Sequence, residues 1–438
     1  MDNLKLYIVT FNCGRKQIEP AVFAEHLFDG WEDPLDTNAL PDLIVFKLQE
    51  IAPLGYAFLG NNFVKPYFHR FRQALQIAGK NHSARYSVED VGYFNVITRN
   101  SGLTAIMIFT RNNLTRQLKT LNIAEVGVGV SEMGNKGAIG ARIGWQVPGS
   151  QGLLHLTLVS AHLAPFEEEM ERRDQDYCNI VKGLVFANKD AREWRKVDQE
   201  DENVPLLQDD QTDFSTSTGD VTGIYSDDSY LFFGGDLNYR TALTGPARGD
   251  SNLYPQPRKD KKDDLHYSHL LEKDQLSQQL QRGKTLHGLT EQRIEFPPTY
   301  KYKKILERPV IRDDDDGEWQ WSSHRWPSWC DRILFSATST LKVKAGSYTA
   351  LPIFRTSDHR PVTLSIAIPL QKASNSGFAK LAPVPIDRQY KALREAARRK
   401  ELVVGIAAYL GWTWEGNALL LGTVIALLGA IWISKSVL

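Results

Sequence analysis

Short runs of β-branched and aromatic residues recur along residues 1–370 and alternate with stretches of helical pattern. Such runs predict strands, and several are apolar throughout, as in strands covered on both faces of a sheet. The predicted strands are LKLYIVTFN, DLIVFKLQE, TAIMIFTR, LLHLTLVSAHL, SYLFFGGDL, RILFSA and VTLSIAI. Residues 166–188 predict a helix with an acidic start. The pattern indicates a protein built from both sheets and helices, without internal repeats.

A different pattern occupies the C-terminal end of the chain. Between residues 402 and 433 the only ionisable side chains are those of Tyr409 and Glu415, and 416–433 contains no charge. As a helix, these 18 residues would be about 27 Å long, close to the ~30 Å hydrocarbon core of a bilayer. The stretch therefore predicts a membrane span. The alternative, a buried core helix, is disfavoured by its position behind a basic segment.

Residues 371–401 join these two parts and carry eight basic and three acidic side chains, a net charge of +5. Two prolines indicate a flexible first part, whereas 389–401 has helical composition. A basic segment directly before an apolar helix fits the cytosolic flank of a membrane span and could attract anionic lipid head groups. We therefore divide the chain into a large domain (1–370), a basic linker (371–401) and a membrane anchor (402–438).

Three charged segments stand out within the large domain. Residues 198–228 contain ten acidic side chains and no Lys or Arg, which predicts a mobile surface loop inserted into the fold. The basic run 258–262 and the four aspartates at 313–316 are interpreted as solvated loop surface. The alternative for a basic run near an active site is that it steers an anionic substrate.

Composition narrows the class of protein. The 438 residues hold 52 basic and 52 acidic side chains, so the chain lacks the basic excess of a typical nucleic-acid-binding protein. Three cysteines in a chain of this length exclude a disulfide framework and a four-cysteine zinc site. The first residues predict a strand and not a signal peptide. We therefore expect the large domain to lie in the reducing cytosol.

Polar side chains stand where several predicted strands end or begin. Carboxylate and amide oxygens at such positions suit Mg²⁺, an aspartate can hold or deprotonate a water, and imidazoles can donate to a phosphoryl group. Taken singly, each residue could be an ordinary turn or structural residue. Together they indicate metal-assisted hydrolysis of a phosphate ester. These residues are Asn12, Glu50, His162, Asp236, Asn238 and His359.

The order of short motifs along the chain makes the interpretation more specific. The segments are TFNCG (10–14), LQE (48–50), GNKGAIG (134–140), SAHLAPFEEEMERRDQDY (160–177), GGDLNYR (234–240), FPPTYKY (296–302), PSWCDRIL (327–334) and TSDHRPV (356–362). With them the chain resembles the inositol polyphosphate 5-phosphatases of the endonuclease/exonuclease/phosphatase superfamily. The resemblance implies an α/β (α+β) fold, a four-layer α/β/β/α sandwich of two mixed sheets flanked by helices. All motifs would then meet in one cleft of one domain.

The resemblance also implies a metal site. Glu50 and Asn12 would bind Mg²⁺, and Asp358 would lie at or near the shell of metal ligands. Both carboxylate and amide oxygens are hard ligands of the kind that Mg²⁺ prefers.

The catalytic roles follow from the same resemblance. Asp236 would position and activate the attacking water, while Asn238 and His162 would hold the scissile phosphate. His359 would stabilise the transition state and would be oriented by Asp331 of the WCDRI motif.

Substrate selectivity is expected from cations that hold the phosphate that is not cleaved. The resemblance implies Tyr239 and Arg240, together with Tyr300 and Lys301, as contacts of a 4-phosphate. Lys136 would be a further phosphate contact, although a lysine in a glycine-rich loop can equally be a turn residue. Arg332 could contact substrate or could instead brace the loop of its neighbour.

Three positions depart from the family pattern, and none removes a catalytic side chain. Phe11 replaces a tryptophan, Lys47 places a charge in a strand that is normally more apolar, and Asp174 stands where asparagine is common. We therefore expect an active enzyme.

The sequence as a whole predicts a Mg²⁺-dependent phosphoinositide 5-phosphatase held on the cytosolic face of an internal membrane, with the endoplasmic reticulum favoured. The preferred substrate would be phosphatidylinositol 4,5-bisphosphate, with the 3,4,5-trisphosphate lipid and soluble inositol phosphates left open. Residues 402–414 would lie in the membrane interface or pair with the span as a hairpin. The alternatives are a non-catalytic lipid-binding tether and a nuclease of the same superfamily, although no nucleic-acid partner is expected.

Overall fold

The computed structural model describes residues 3–35, 37, 39–86, 92–150, 152–187, 221–304, 308–313, 317–336, 343–371 and 377–437. Its α-helices are α1 (Pro20–His26), α2 (Leu54–Leu59), α3 (Lys65–Tyr86), α4 (Met170–Gly183), α5 (Ser268–Leu271), α6 (Gln275–Gln281), α7 (Tyr390–Trp412) and α8 (Trp414–Val437). Its strands are β1 (Asn3–Asn12), β2 (Leu43–Gln49), β3 (Tyr93–Ser101), β4 (Thr104–Arg111), β5 (Leu118–Gly127), β6 (Gly137–Gln146), β7 (Leu153–His162), β8 (Phe186–Ala187), β9 (Val221–Thr222), β10 (Ser229–Asp236), β11 (Leu289–Glu291), β12 (Val310–Ile311), β13 (Asp331–Ser336), β14 (Lys344–Ala350), β15 (Ile353–Phe354) and β16 (Val362–Pro369).

Two six-stranded mixed sheets form the centre of the fold. Their strand orders are β14-β16-β1-β2-β4-β3 and β11-β13-β10-β7-β6-β5. Each sheet has one parallel pair, β1 with β2 and β7 with β10, among antiparallel neighbours. Helices α1 and α3 pack on the outer face of the first sheet and α4 packs on that of the second. The four-layer α/β/β/α sandwich that the sequence predicted is confirmed.

The space between the sheets is filled by apolar side chains for most of its length. Every second residue of a strand faces this interior, as the two-residue period of strands requires. Each fully buried aliphatic or aromatic side chain there stabilises the fold by roughly 1.5–3 kcal/mol. Representative members are Leu6, Ile8, Val45, Ile106, Ile143, Leu156 and Phe232.

Lys47 lies in this interior and explains one departure seen in the sequence. Its side chain is fully buried, and its Nζ donates a hydrogen bond to the carbonyl oxygen of Phe232 on the opposite sheet at 3.0 Å. Burial holds the pKa of Lys47 well below its ordinary value. Nearby, Gln49 Nε2 donates a hydrogen bond to the hydroxyl of Ser160. The interior thus becomes polar toward one end of the sandwich.

The motif residues lie at this polar end because of the direction and register of the strands that carry them. Strands β1, β2, β7 and β10 end there, whereas β13 begins there. Asp236 is paired in register with His162 on one side and with Asp331 on the other, so the three side chains share one face.

The predicted helix at 166–188 is shorter in the structure. It begins at Met170, because Phe166 has a backbone φ of +72° that a right-handed helix does not allow. It ends at Gly183, and residues 186–187 belong to β8.

Helix α7 crosses the predicted boundary between linker and anchor at residue 401. It is one continuous helix that packs on α2, with Ala397, Glu401, Gly405 and Ala408 on its buried face. Glycines allow the two helices to touch, since a Cβ on Gly55 would lie 2.8 Å from the Tyr409 nitrogen and one on Gly405 would lie 2.9 Å from Phe58. Residues 390–401 thus belong to a helix that contacts residues far away in the sequence, whereas the division into domain, linker and anchor stays a prediction.

Helix α8 follows after a break at Thr413, whose Oγ1 accepts a hydrogen bond from the Gly416 nitrogen at 3.0 Å. Among the described residues, Trp414–Lys435 is the one helical stretch long and apolar enough to cross a membrane, with a mean hydropathy of 2.0. The hydroxyl of Tyr56 donates to Glu415 at 3.0 Å and ties the start of α8 to α2. Residues 402–412 belong to α7, on which Trp412 remains exposed.

The structure describes the three charged segments of the large domain only in part. Of the acidic segment, 198–220 lie outside the described residues, while Asp228 pairs with Arg142 at 2.5 Å. Of the four aspartates, 314–316 lie outside, and Asp313 pairs with the buried Arg360 at 2.7 Å. The basic run 258–262 lies in a loop at the surface.

Candidate active site

Asp236 lies at the centre of the polar end and is fully buried. Its carboxylate accepts hydrogen bonds from Asn12 Nδ2 at 2.8 Å and from the Asn238 nitrogen at 3.2 Å. The Nε2 atoms of His162 and His359 lie 3.3 and 3.9 Å from its Oδ2. Burial opposes the charge, but the two histidines outweigh it and hold the pKa of Asp236 well below its usual range. Asp236 is therefore an ionised carboxylate ringed by donors.

His359 is held by Asp331 on the next strand. Its Nδ1 lies 2.9 Å from Asp331 Oδ2, which also accepts from the Thr299 hydroxyl at 2.7 Å. Burial alone would lower the pKa of His359, but Asp331 and Asp236 outweigh it and raise that pKa to about 9. The imidazole is thus a cation at neutral pH, with Nε2 directed to the side of Asp236.

Lys136 and His162 form a second pair beside Asp236. Lys136 Nζ is in direct contact with His162 Nε2. Burial lowers the pKa of Lys136 to about 8, against the opposing effect of Asp236 and Glu50. Burial and the neighbouring Lys136 also lower the pKa of His162. Burial thus disfavours the charged form of both members of this pair.

Glu50 and Asn12 supply further oxygen ligands at this end. Glu50 follows β2 with a φ of +46°, and its Oε2 accepts from Arg15 Nε at 3.0 Å. Burial raises the pKa of Glu50, but His162, Arg15 and Lys136 outweigh it, so the net pKa is lowered. Glu50 and Asp236 are ionised carboxylates, and Asn12 Oδ1 accepts from the Gly14 nitrogen at 3.0 Å. This donor set fits a hard divalent cation.

Among the described residues, a different group of side chains is also close enough together to hold a metal ion. The ligand atoms of Asp236, Asp331 and His359 lie within 4.8 Å of one another. Their closeness is explained by the hydrogen bond between His359 and Asp331, and a protonated imidazole does not coordinate a metal. The closeness of these three ligand atoms is therefore explained without a metal ion between them.

Asp358, which the sequence places at or near the metal, forms ion pairs with two lysines in the structure, and its place near the metal stays a prediction. Its Oδ2 pairs with Lys301 Nζ at 3.0 Å, and Lys304 Nζ lies 4.0 Å from Oδ1. Burial raises the pKa of Asp358, but His359 and Lys301 outweigh it and lower the net pKa. The contacts of this carboxylate are thus lysines at the rim of the cleft.

Arg240, Asn238 and Tyr300 form a compact unit next to Asp236. The guanidinium of Arg240 is buried, contacts Asn238 Oδ1 and lies 4.6 Å from the centre of the Tyr300 ring. Tyr300 in turn lies 4.4 Å from the His359 ring. Asn238 Nδ2 donates to the carbonyl of Leu163 at 3.1 Å, which leaves one amide hydrogen for another partner. Arg240 Nη1 has no hydrogen-bond partner in the described part of the chain.

Tyr239 is the predicted substrate residue that the structure does not bring to the cleft. Its ring is buried in the core under α4. Its hydroxyl donates to Asp174 at 2.6 Å and lies 3.1 Å from the hydroxyl of Thr285. Arg240, by contrast, lies beside Asn238 and Tyr300 next to Asp236. Asp174, which stands where asparagine is common in the family, is thus the hydrogen-bond partner of Tyr239 and not a residue of the cleft. Arg332 is likewise buried and pairs with Asp274 and Glu291.

Two residues that were not predicted from the sequence also hold side chains of the site in place. Thr299 stands inside the PPTYKY motif, and its hydroxyl fixes the carboxylate of Asp331. Arg15 directly follows the TFNCG motif and pairs with Glu50. Both are adjacent to motifs, and that adjacency is the signal that could have found them.

Comparisons with known proteins agree with the motifs. Residues 9–365 match the profile of the endonuclease/exonuclease/phosphatase family 2. The type II inositol polyphosphate 5-phosphatase 14 of Arabidopsis thaliana is 26% identical over 378 residues, which are 82% of this chain and 30% of the relative. The inositol-1,4,5-trisphosphate 5-phosphatase 1 of Schizosaccharomyces pombe is 27% identical over 310 residues, 69% of this chain and 22% of the relative. The chain thus spans less than a third of either relative.

A solved structure supports the fold. The inositol polyphosphate 5-phosphatase domain of SPsynaptojanin, determined in complex with inositol (1,4)-bisphosphate and a calcium ion, superposes with a TM-score of 0.57. It is 22% identical, and the match covers 91% of each chain. The resemblance predicted from the motifs is confirmed. With most of its length matched by the family profile, the chain belongs to the endonuclease/exonuclease/phosphatase family 2.

Proposed function

We propose that the protein is a Mg²⁺-dependent phosphoinositide 5-phosphatase. In this proposal it removes the 5-phosphate of phosphatidylinositol 4,5-bisphosphate at the cytosolic surface of a membrane. The observation that carries the proposal is the buried cluster of Asn12, His162, Asp236, Asp331 and His359, which places one ionised carboxylate between two imidazoles. The curated relatives are named as inositol phosphate 5-phosphatases, which supports the substrate class.

Asp236 is the residue suited to hold the attacking water. It is ionised and fixed by Asn12 and Asn238, so its free lone pairs keep one direction. A carboxylate with a low pKa is a weak general base, and its main contribution is to orient the water and accept its proton as the reaction proceeds.

His359 is suited to stabilise the charge that develops on the phosphoryl group. Asp331 fixes its Nδ1 proton and holds the ring in one orientation, so the Nε2 proton can be donated into the cleft. His162, the remaining amide hydrogen of Asn238 and the ammonium of Lys136 would bind the oxygens of the same phosphate.

Asn12, Glu50 and Asp236 would hold the Mg²⁺ ion. The ion would polarise the phosphate and offset the negative charge of the leaving oxygen. Asp358, the further residue predicted at or near the ion, pairs with Lys301 at 3.0 Å.

The cations at the rim suit the phosphate that is not cleaved. Lys301 is about one-third exposed, and Lys304 is slightly more exposed. Together with Arg240 behind Tyr300 they favour a 4-phosphate next to the scissile 5-phosphate. The net charge of zero and these localised cations favour a small polyanionic head group over a nucleic acid.

The anchor supports a lipid substrate. Within helix α8, the 22-residue stretch Trp414–Lys435 reaches a mean hydropathy of 2.0, and only 6% of its apolar window is buried within the described chain. Trp412 and Trp414, both largely exposed, stand where a membrane interface would begin. Tethering raises the concentration of enzyme at the surface that holds the lipid. The endoplasmic reticulum, whose bilayer is a few Å thinner than average, is the proposed location.

The proposal is tested by phosphate release from the full-length chain in detergent micelles. The substrates are phosphatidylinositol 4,5-bisphosphate, its 3,4,5-trisphosphate counterpart and soluble inositol 1,4,5-trisphosphate, each with Mg²⁺ and with chelator. We expect Mg²⁺-dependent loss of the 5-phosphate alone, abolished by Asp236→Asn and unaffected by the matched surface change Asp250→Asn.

Two outcomes would contradict the proposal. Binding of the lipid without release, by a chain that unfolds cooperatively, would indicate a tether without catalysis. Cleavage of an abasic oligonucleotide in place of inositol phosphates would indicate a nuclease.

A further inference from the structure

Glu401 of α7 is a buried acid that the proposed reaction does not use. Its side chain is fully buried, 265 positions after Lys136 in the sequence. Its Oε1 accepts a hydrogen bond from the backbone nitrogen of Gly134 at 2.8 Å. Arg394 and Arg398 pair with its two oxygens at 2.6 and 3.3 Å. A buried carboxylate with this set of partners is costly to remove and is placed at one position.

Gly134 belongs to the loop of residues 128–136, which carries Lys136 and which we call the Lys136 loop. The carbonyl oxygen of Gly134 accepts from the Leu103 nitrogen at 2.9 Å, so the residue is held from both sides. A Cβ on Gly102 would lie 2.2 Å from that same oxygen, which shows how closely the backbone segments around Gly102 and Gly134 approach each other. Glu401 therefore completes a clamp on Gly134.

The other side of the Lys136 loop is not packed. A cavity of about 450 Å³ lies between the loop, α4 and α7, and is lined by Val128, Ser131 and Glu132 of the loop. Ser131 and Glu132 have positive φ angles, so local backbone preference does not hold the loop in this shape. Tertiary hydrogen bonds help to set its position. Glu401 and Lys400 of α7 supply two of them, with Lys400 Nζ 3.3 Å from the Ser131 carbonyl, and Leu103 and Arg172 supply others.

We propose that Glu401 is a positioning residue that couples α7, and the α8 helix behind it, to the Lys136 loop. Two residues after Gly134, Lys136 contacts His162, which lies 3.3 Å from Asp236. A shift of Gly134 therefore moves the cation that would bind the phosphate. The effect on catalysis rests on the proposed function, whereas the structural coupling does not. The helix that precedes the apolar α8 is in this way connected to the cleft.

The first test measures the loop itself. Hydrogen exchange followed by mass spectrometry on the full-length chain in micelles compares Glu401→Leu, which removes the acceptor, with Glu401→Gln, which keeps one. We expect faster exchange in peptides covering 128–137 for the Leu variant and a smaller change for the Gln variant. Peptides covering β7 and β10 should exchange as in the original chain. Unchanged exchange at 128–137 in the Leu variant would overturn the coupling.

The second test is a double-mutant cycle on turnover of soluble inositol 1,4,5-trisphosphate. Glu401→Leu should lower kcat/KM by about tenfold and Glu401→Gln by about two- to threefold. In a Lys136→Met background neither change should lower it further. Glu395→Gln, on the half-exposed side of the same helix, should leave turnover unchanged. Equal losses in both backgrounds would show a merely structural role and overturn the proposal.

The two tests separate the possible failures. If the original chain releases no phosphate while exchange at 128–137 responds to Glu401, the proposed function fails and the coupling stands. If Glu401→Leu shows no cooperative unfolding, Glu401→Gln in the two backgrounds decides, because its small loss should disappear with Lys136→Met.

Discussion

The two positive groups of the cleft, His359 and Lys136, are held in different ways. His359 is oriented by Asp331, and Asp331 is paired in register with Asp236 on the neighbouring strand. Lys136 lies in a loop beside a cavity, and the loop depends on a helix from the far end of the chain. Strand register is a cooperative property of a whole sheet, whereas the loop depends on a few hydrogen bonds. Changes at the first group should therefore affect chemistry, and changes at the second should affect positioning.

The largest loss of turnover is expected at Asp236, which lies next to both His162 and His359. Asp236→Asn keeps the shape but removes the negative charge, so turnover should fall about 10³-fold or more. Phosphate release with excess Mg²⁺ checks this. A residual rate within tenfold of the original chain would exclude Asp236 as the residue that holds the water.

A smaller effect with a pH signature is expected on the strand side. Asp331→Asn removes the main group that raises the pKa of His359 to about 9. The active form is protonated, so activity is lost as pH rises through that pKa, and the variant should lose it nearer the ordinary value of about 6.5. At pH 8 the protonated fraction of His359 would fall by up to about 30-fold, and we expect a loss of turnover of about that size.

The profile of kcat/KM against pH measures this shift. An alkaline limb that stays in place in Asp331→Asn would show that His359 is not the group that titrates.

Truncation of the chain should separate the role of the apolar helix α8 from that of α7, which carries Glu401. A chain ending at residue 413 keeps α7 and Glu401, and should turn over the soluble substrate like the full chain. A chain ending at 389 leaves the Gly134 nitrogen without its partner, which costs about 1–3 kcal/mol where the group stays buried. We expect lower stability and about tenfold lower kcat/KM for the shorter chain. Equal activity of both truncations would contradict a role of α7 in the cleft.

The smallest effect is expected at the contact between α2 and α7. A Cβ on Gly55 would lie 2.8 Å from the Tyr409 nitrogen, whereas one on Gly411 would meet nothing within 4 Å. Gly55→Ala should destabilise the chain by about 1–3 kcal/mol through overpacking. Gly411→Ala should be neutral or stabilise the helix by up to about 1 kcal/mol. Denaturant unfolding in micelles measures both, and equal midpoints would show that the helices are not in contact.

Much of the fold was predictable because it depends on local pattern. The apolar runs that became β1, β2, β4, β7, β10, β13 and β16 are long and distinct, and polar motif residues directly follow or precede them. The motifs also indicated the residues that the structure brings around Asp236. Thr299 and Arg15 were missed, because a hydroxyl or a guanidinium next to a motif does not reveal its partner.

The sequence by itself determined which strands form, which side chains stand at their ends and where an apolar helix begins. These features follow from periodicity and residue type over a few neighbouring positions. The tertiary structure alone decided that Tyr239 faces Asp174, that Asp358 pairs with Lys301 and that α7 packs on the domain. These outcomes depend on which surfaces meet across hundreds of residues. No local pattern contains that information, because the energies of such contacts exist only once the sheets are assembled.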